Sequence, residues 1–104
     1  MLGLTNVDHE GRGYRAYVFW LRVERASQTF AASLYNVLAI AIAHELGHTI
    51  LPNGSHATRG LMEPAWYSAH FRSASAGLLH FFSETAALIR RALISEVTVA
   101  QRVR

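Results

Sequence analysis

The chain has 104 residues, no cysteine and no lysine, and its ten arginines against seven acidic residues give a formal charge of +3. A chain of this length forms one domain, 1–104, that buries roughly 65% of its unfolded surface, and 51% apolar with 16% charged residues is a globular balance. Disulfides and thiolate ligands are excluded, so any metal is held by nitrogen and oxygen; the arginines are scattered apart from Arg90-Arg91 and the terminal Arg102 and Arg104, which gives no phosphate-tracking stripe and no support for nucleic-acid binding.

The opening stretch, MLGLTNVDHEGRG, lacks the basic start and apolar core of a signal peptide, and nothing in the sequence specifies a compartment. LGLTNV (2–7) and YRAYVFWL (14–21) cluster β-branched and aromatic residues around DHEGRG, which predicts a β-hairpin with a loop of about six residues. LRVERASQTF follows as a short helix or an irregular approach. The run from Ala26 to Ala43 carries no charge, but Ser27, Gln28, Thr29, Ser33 and Asn36 make it too polar for a membrane span. A buried amphipathic helix is expected instead, N-capped by Ser33, with Thr29 as the competing cap.

That helix must stop near Leu51, because Pro52 disfavours helical geometry in the residue before it and Asn53-Gly54 signals a turn. Residues 52–65 read as loop, and AWYSAHF as one or two helical turns. A second helix is expected over 83–97, with Ala87, Leu88, Leu93, Ile94 and Val97 set against Arg90, Arg91 and Glu96. A small sheet packed on two helices is an α+β architecture.

The chemistry is concentrated in AHELGHTILPNGSHATRGLMEP, residues 43–64. His44 and His48 stand one helical turn apart, so both rings can grip one ion. Glu45 is rotated about 100° from His44. It is poorly placed as a third ligand and well placed to act as general base on a water in the open position. His56 lies past the Pro-Asn-Gly turn, where the chain can fold back towards the same ion. His9 reads as a solvated turn residue, and His70 and His80 as packed or exposed side chains. Tyr67 is a candidate hydrogen-bond donor to an oxyanion, although Tyr14, Tyr17 and Tyr35 are equally explained as core residues.

HExxH, a downstream histidine and a methionine in a Gly-Leu-Met turn resemble the metzincin clan of zinc metallopeptidases. The stretch is similar to a small bacterial group with HE-x-GH, seven residues, then a histidine and a Gly-Ile-Met turn ahead of a tryptophan. GRGYRAYVFWLRVE and LLHFFSETAALIRRAL extend the likeness over most of the chain, though only residues 44–62 are specific. The resemblance implies a zinc peptidase acting on peptide or protein substrates. His44, His48 and His56 would be zinc ligands, Glu45 the base, Met62 the apolar floor beneath the metal, and Gly47 a point of close approach within the helix. Leu51 and Gly54 occupy the places where the usual motif has a glycine and the third ligand, so the loop to His56 is two residues longer. Only two strands fit before residue 22, so the chain looks like the C-terminal two-thirds of such a domain.

The sequence is compatible with two other functions. A gluzincin-type peptidase would take Glu84 as third ligand, although Leu88 stands where an orienting acidic residue is expected; Glu63 is the other option but is pinned beside Pro64. A zinc-binding but inactive domain would use the exposed edge of the short hairpin for self-association or for a partner chain.

Overall fold

The computed structural model describes residues 1–51, 56 and 60–103, with side chains described through residue 94. Its elements run β1 (Gly3–Val7), β2 (Gly13–Val18), α1 (Trp20–Thr29), α2 (Leu34–Ile50), α3 (Ser68–Ser75) and α4 (Ser83–Val103). A two-stranded sheet on helices is the expected α+β class.

β1 and β2 pair antiparallel, Gly3 opposite Val18 and Thr5 opposite Ala16, with the register shifting between Asn6 and Val7. Asp8 closes the turn: its Oδ1 accepts the backbone N–H groups of Glu10 and Arg12, both at 2.9 Å. That is the local hydrogen bonding for which aspartate is favoured in turns. Gly11 supplies a φ of 81°. The connection is Asp8–Arg12, one residue shorter than expected, because Gly13 already belongs to β2. His9 lies in it with its side chain 90% exposed, as a solvated turn residue.

The hairpin lies almost directly on the backbone of α2, and small residues make that approach feasible. A Cβ at Gly13 would stand 2.5 Å from His48 O and 2.6 Å from Thr49 Cα; one at Gly3 would stand 2.5 Å from Tyr17 O and 2.8 Å from Glu45 Cγ. Glycine at both positions removes those overlaps and brings β1 against the helix that carries the histidines.

α2 buries Val37, Ile40, Ala41, His44 and His48 at spacings of three and four residues, one continuous helix face. Its apolar part packs with Val23 and Ala26 of α1, Leu61 and Phe71. The rings of Phe30 and Phe71 stack with centroids 4.4 Å apart. Ser33 is the N-cap residue, as expected, but makes no side-chain capping hydrogen bond. Leu51 ends the helix in extended geometry (φ −80°, ψ 140°), as the residue before a proline should. The turn expected at Pro52, Asn53 and Gly54 lies outside the described residues.

LRVERASQTF takes the short-helix alternative: α1 runs over ten residues from Trp20 to Thr29, with Phe30 as its C-cap. Three other expectations about the helices need correction. α3 begins at Ser68 and not within Ala65-Trp66. α4 runs on past residue 97 to Val103. Its apolar stripe is not a core face: Leu88, Leu93 and Ile94 are 52%, 45% and 65% exposed, and among its described side chains only Thr85 is buried. Among the described residues no helix is long and apolar enough to cross a membrane.

Candidate metal centre

His44 and His48 project from α2 where its apolar face ends, and both are more than nine-tenths buried or close to it, at 9% and 7% exposed. The ring of His44 is locked from behind. Its Nδ1 lies 2.6 Å from the carbonyl oxygen of Leu61, an atom that can only accept, so Nδ1 carries the proton and donates. The lone pair of His44 is therefore at Nε2, turned towards His48. This is how metal-ligating histidines are usually oriented, by a second hydrogen bond from the remote ring nitrogen.

His48 Nε2 lies 3.2 Å from His44 Nε2 and 3.1 Å from His56 Nε2. Two nitrogens each about 2.05 Å from a tetrahedral ion would be about 3.3 Å apart. Two of the three nitrogen pairs thus stand at the separation a tetrahedral ion needs, all three ligand atoms lie within 4.8 Å of one another, and among the described residues they form the one such group. The set fits a metal ion bound through imidazole nitrogen. His48 Nδ1 is buried without a hydrogen-bond partner among the described residues, unlike its counterpart in His44.

Burial pushes the pKa of His48 down to about 4, with further lowering from the neighbouring His44 and His56. His56 is lowered as well, first by burial and then by His44, while Glu45 opposes the shift. Both rings are thereby kept neutral near pH 7, the state in which imidazole binds a metal.

Glu45, the residue after the first histidine, is 6% exposed and stands outside the nitrogen group. The Thr5 hydroxyl donates to its Oε1 at 2.8 Å, with the Glu45 carbonyl oxygen 3.2 Å away. Gly3 closes over the same carboxylate, since a Cβ there would come within 2.9 Å of Oε2. The hairpin therefore clamps the glutamate at two points.

Met62 is fully buried against the other side of α2. A Cβ on Gly47 would overlap Met62 Sδ, so the glycine inside HELGH is what admits the methionine. The turn that delivers it begins at Gly60, whose φ of 81° is left-handed and whose Cβ would collide with His80 O. Leu61 N–H then donates to His80 O at 2.8 Å, fixing the carbonyl of Leu61 that holds His44. Trp66 packs edge-on to His44 with centroids 5.2 Å apart, and its Nε1 is buried without a partner among the described residues.

A cleft of about 420 Å³ opens beside the three histidines, between β1 on one side and Glu63–Trp66 on the other. Glu45, Thr5 and the three imidazoles all line it. Tyr67 does not: it is 68% exposed, its ring 6.1 Å from that of His70. Glu84 is exposed on the first turn of α4 and is not part of the nitrogen group. His70 is engaged with Glu63, and His80 is exposed.

Thr5, Gly3 and the Glu63–His70 pair do not stand out in the sequence. For Thr5 and Gly3 the available signal was the two-residue alternation of a strand, which places both on the hairpin face that also carries Gly13. Compared with protein-family models, curated proteins and solved structures, the chain matches none of them.

Proposed function

We propose that the protein is a zinc-dependent peptide hydrolase in which His44, His48 and His56 hold the metal and Glu45 is the general base. One observation carries this reading: three imidazole nitrogens and a separately anchored carboxylate meet on the wall of a single open cleft. Three nitrogen donors with no cysteine suit zinc and leave a coordination position for water. When bound, zinc supplies Lewis-acid polarisation of a carbonyl oxygen and lowers the pKa of water towards ~7.

The chain's own residues account for the remaining requirements. Glu45, its carboxylate anchored by Thr5, removes the proton of the attacking water and delivers it to the leaving nitrogen. Leu61 O holds His44 in the one tautomer that leaves Nε2 free. Met62 provides the apolar underside of the site. Among the described residues β1 pairs with β2 on one side only, and Gly3, Leu4 and Thr5 line the cleft. Its other edge offers backbone groups to which an extended peptide can add as a strand.

Zinc content and turnover test the reading together. Protein from zinc-supplemented medium should carry about one zinc per chain by elemental analysis, and His44→Ala or His56→Ala should weaken binding tenfold or more. Glu45→Gln should keep the zinc and lose hydrolysis of a mixed peptide library by orders of magnitude. Undiminished hydrolysis by Glu45→Gln, or zinc content indifferent to His44→Ala, sinks the assignment.

A further inference from the structure

Glu63 follows the buried Met62 and completes the turn from Gly60, its backbone N–H donating to Gly60 O at 3.2 Å. Its carboxylate is then held by His70. The backbone N–H of Tyr67 donates to His70 Nδ1 at 2.9 Å, so that nitrogen bears a lone pair and the proton sits on Nε2. His70 Nε2–H in turn donates to Glu63 Oε2 at 2.7 Å. A ring that accepts at one nitrogen and donates at the other is neutral. It orients the carboxylate and, among the described residues, leaves the charge uncompensated.

The Glu63 side chain is only 26% exposed, and no arginine pairs with it among the described residues. Its Oε1 has no protein partner there. Partial removal of a charge from water is costly unless a counter-charge arrives. Glu63 is on the wall of the cleft that holds the three histidines, and among the described residues no arginine lines it. The surrounding wall is largely apolar, with Leu4, Phe30, Pro64 and Ala65 contributing to it.

We propose that Glu63 sets the substrate class of the site: peptides carrying a positive charge close to the bond that is cleaved. The inference rests on the hydrolase reading above. The cation is an arginine or lysine side chain or a free α-ammonium group, and each would pair with a carboxylate already fixed in direction. Because its orientation is set in advance, little side-chain entropy is lost when the cation arrives. Arginine is the best match, since its planar fork can engage one carboxylate through two hydrogen bonds.

The pair with His70 also ties the loop to α3, and substitution can separate this tie from the charge. Glu63→Gln keeps an oxygen that accepts from His70 Nε2–H and removes only the charge. The full chain, zinc-loaded, is assayed with twin peptides that differ by arginine or citrulline at each position around the scissile bond. Each twin is made with a free and an acetylated N-terminus, which distinguishes a side-chain cation from an α-ammonium. The expected wild-type kcat/KM ratio between charged and neutral twins is tenfold or more, and Glu63→Gln brings it near one. Equal cleavage of the twins by wild type, or a ratio retained in Glu63→Gln, overturns the inference and leaves the hydrolase reading standing. If no peptide at all is cleaved, the hydrolase reading fails, and fluorescence anisotropy of the same labelled twins decides the inference alone. Tenfold tighter binding of the charged twin, lost in Glu63→Gln, sustains it, and equal binding overturns it.

Discussion

At the scale of single residues, Thr5 and His48 carry the sharpest expectations. Thr5 approaches Glu45 across forty positions of sequence, and its hydroxyl is the one side-chain donor on that carboxylate among the described residues. A carboxylate acting as base must present one oxygen to water in a fixed direction, and a misplacement of about 1 Å can cost on the order of a hundredfold in rate. Thr5→Val, which keeps the shape and removes the donor, should lower kcat roughly tenfold to a hundredfold with KM and zinc content little changed. Thr5→Ser should recover most of the loss; a Thr5→Val protein with the kcat of wild type removes Thr5 from the machinery. His48 makes a different statement, about pH. Its folded pKa of about 4 lies below the ordinary value of 6.5, first because of burial and then because of His44 and His56. Above pH 6.5 neither the folded nor the unfolded ring binds a proton, and nothing is lost. Between 6.5 and about 4 the unfolded chain takes up a proton that the folded chain refuses, so stability falls as the pH drops through that window and levels off below it. Urea melts of the metal-free protein should show this decline, and His48→Gln should flatten it. An equal slope in both proteins would show that other groups dominate.

Among the elements, α2 was the most legible in the sequence. Val37, Ile40, Ala41, His44 and His48 repeat at the helical period, so the same spacing that predicts the helix also predicts which two histidines share its buried face. Leu51 marked its end because Pro52 acts on the residue directly before it. The hairpin was legible from its turn residues for the same reason, a short-range cause. What stayed hidden depends on contacts between distant segments. Thr5 with Glu45, Gly13 with the backbone of His48 and Thr49, and Leu61 O with His44 leave no local trace. α4 misled in the other direction: its apolar stripe has helical period, but Leu88 and Leu93 remain about half exposed. Gly47 could be read from sequence as a tolerated helix glycine or as a point of close approach. The overlap of any Cβ there with the fully buried Met62 favours the second. Gly47→Ala should gain about 1 kcal/mol in helix propensity yet lose about 1–3 kcal/mol to overpacking. A net loss of stability in denaturant melts is expected, smaller when Met62→Ala is present in the same chain, since the two residues touch. A Gly47→Ala protein more stable than wild type would mean that Met62 repacks without strain.

For the molecule as a whole, the question is what holds so small a core together. Among the described residues the buried apolar ones are few and centre on α1, α2, Leu61, Met62 and Phe71. The radius of gyration is 14.7 Å, above the roughly 13 Å of a compact domain of this length, and the longest dimension of 48 Å is about twice the other two. A chain with so modest a core gains most from a link between segments that few apolar contacts join. His44 and His48 belong to α2, whereas His56 comes from the chain beyond its end, so a metal ion held by all three would join them. Metal bound only by the folded state stabilises it by RT ln(1 + [L]/Kd), about 2.7 kcal/mol when the free metal is a hundred times Kd. For a domain of this size each 1 kcal/mol moves Tm by roughly 4–8 °C. Chelation should therefore lower Tm by roughly 10–20 °C, with re-addition of zinc restoring it. The same treatment of His56→Ala should produce a much smaller change, because the remaining two histidines lie within a single helix and tie nothing together. Scanning calorimetry with and without a chelator distinguishes the outcomes. An equal Tm in both conditions, for protein shown by elemental analysis to have carried zinc beforehand, would mean that the metal decorates a fold already complete without it.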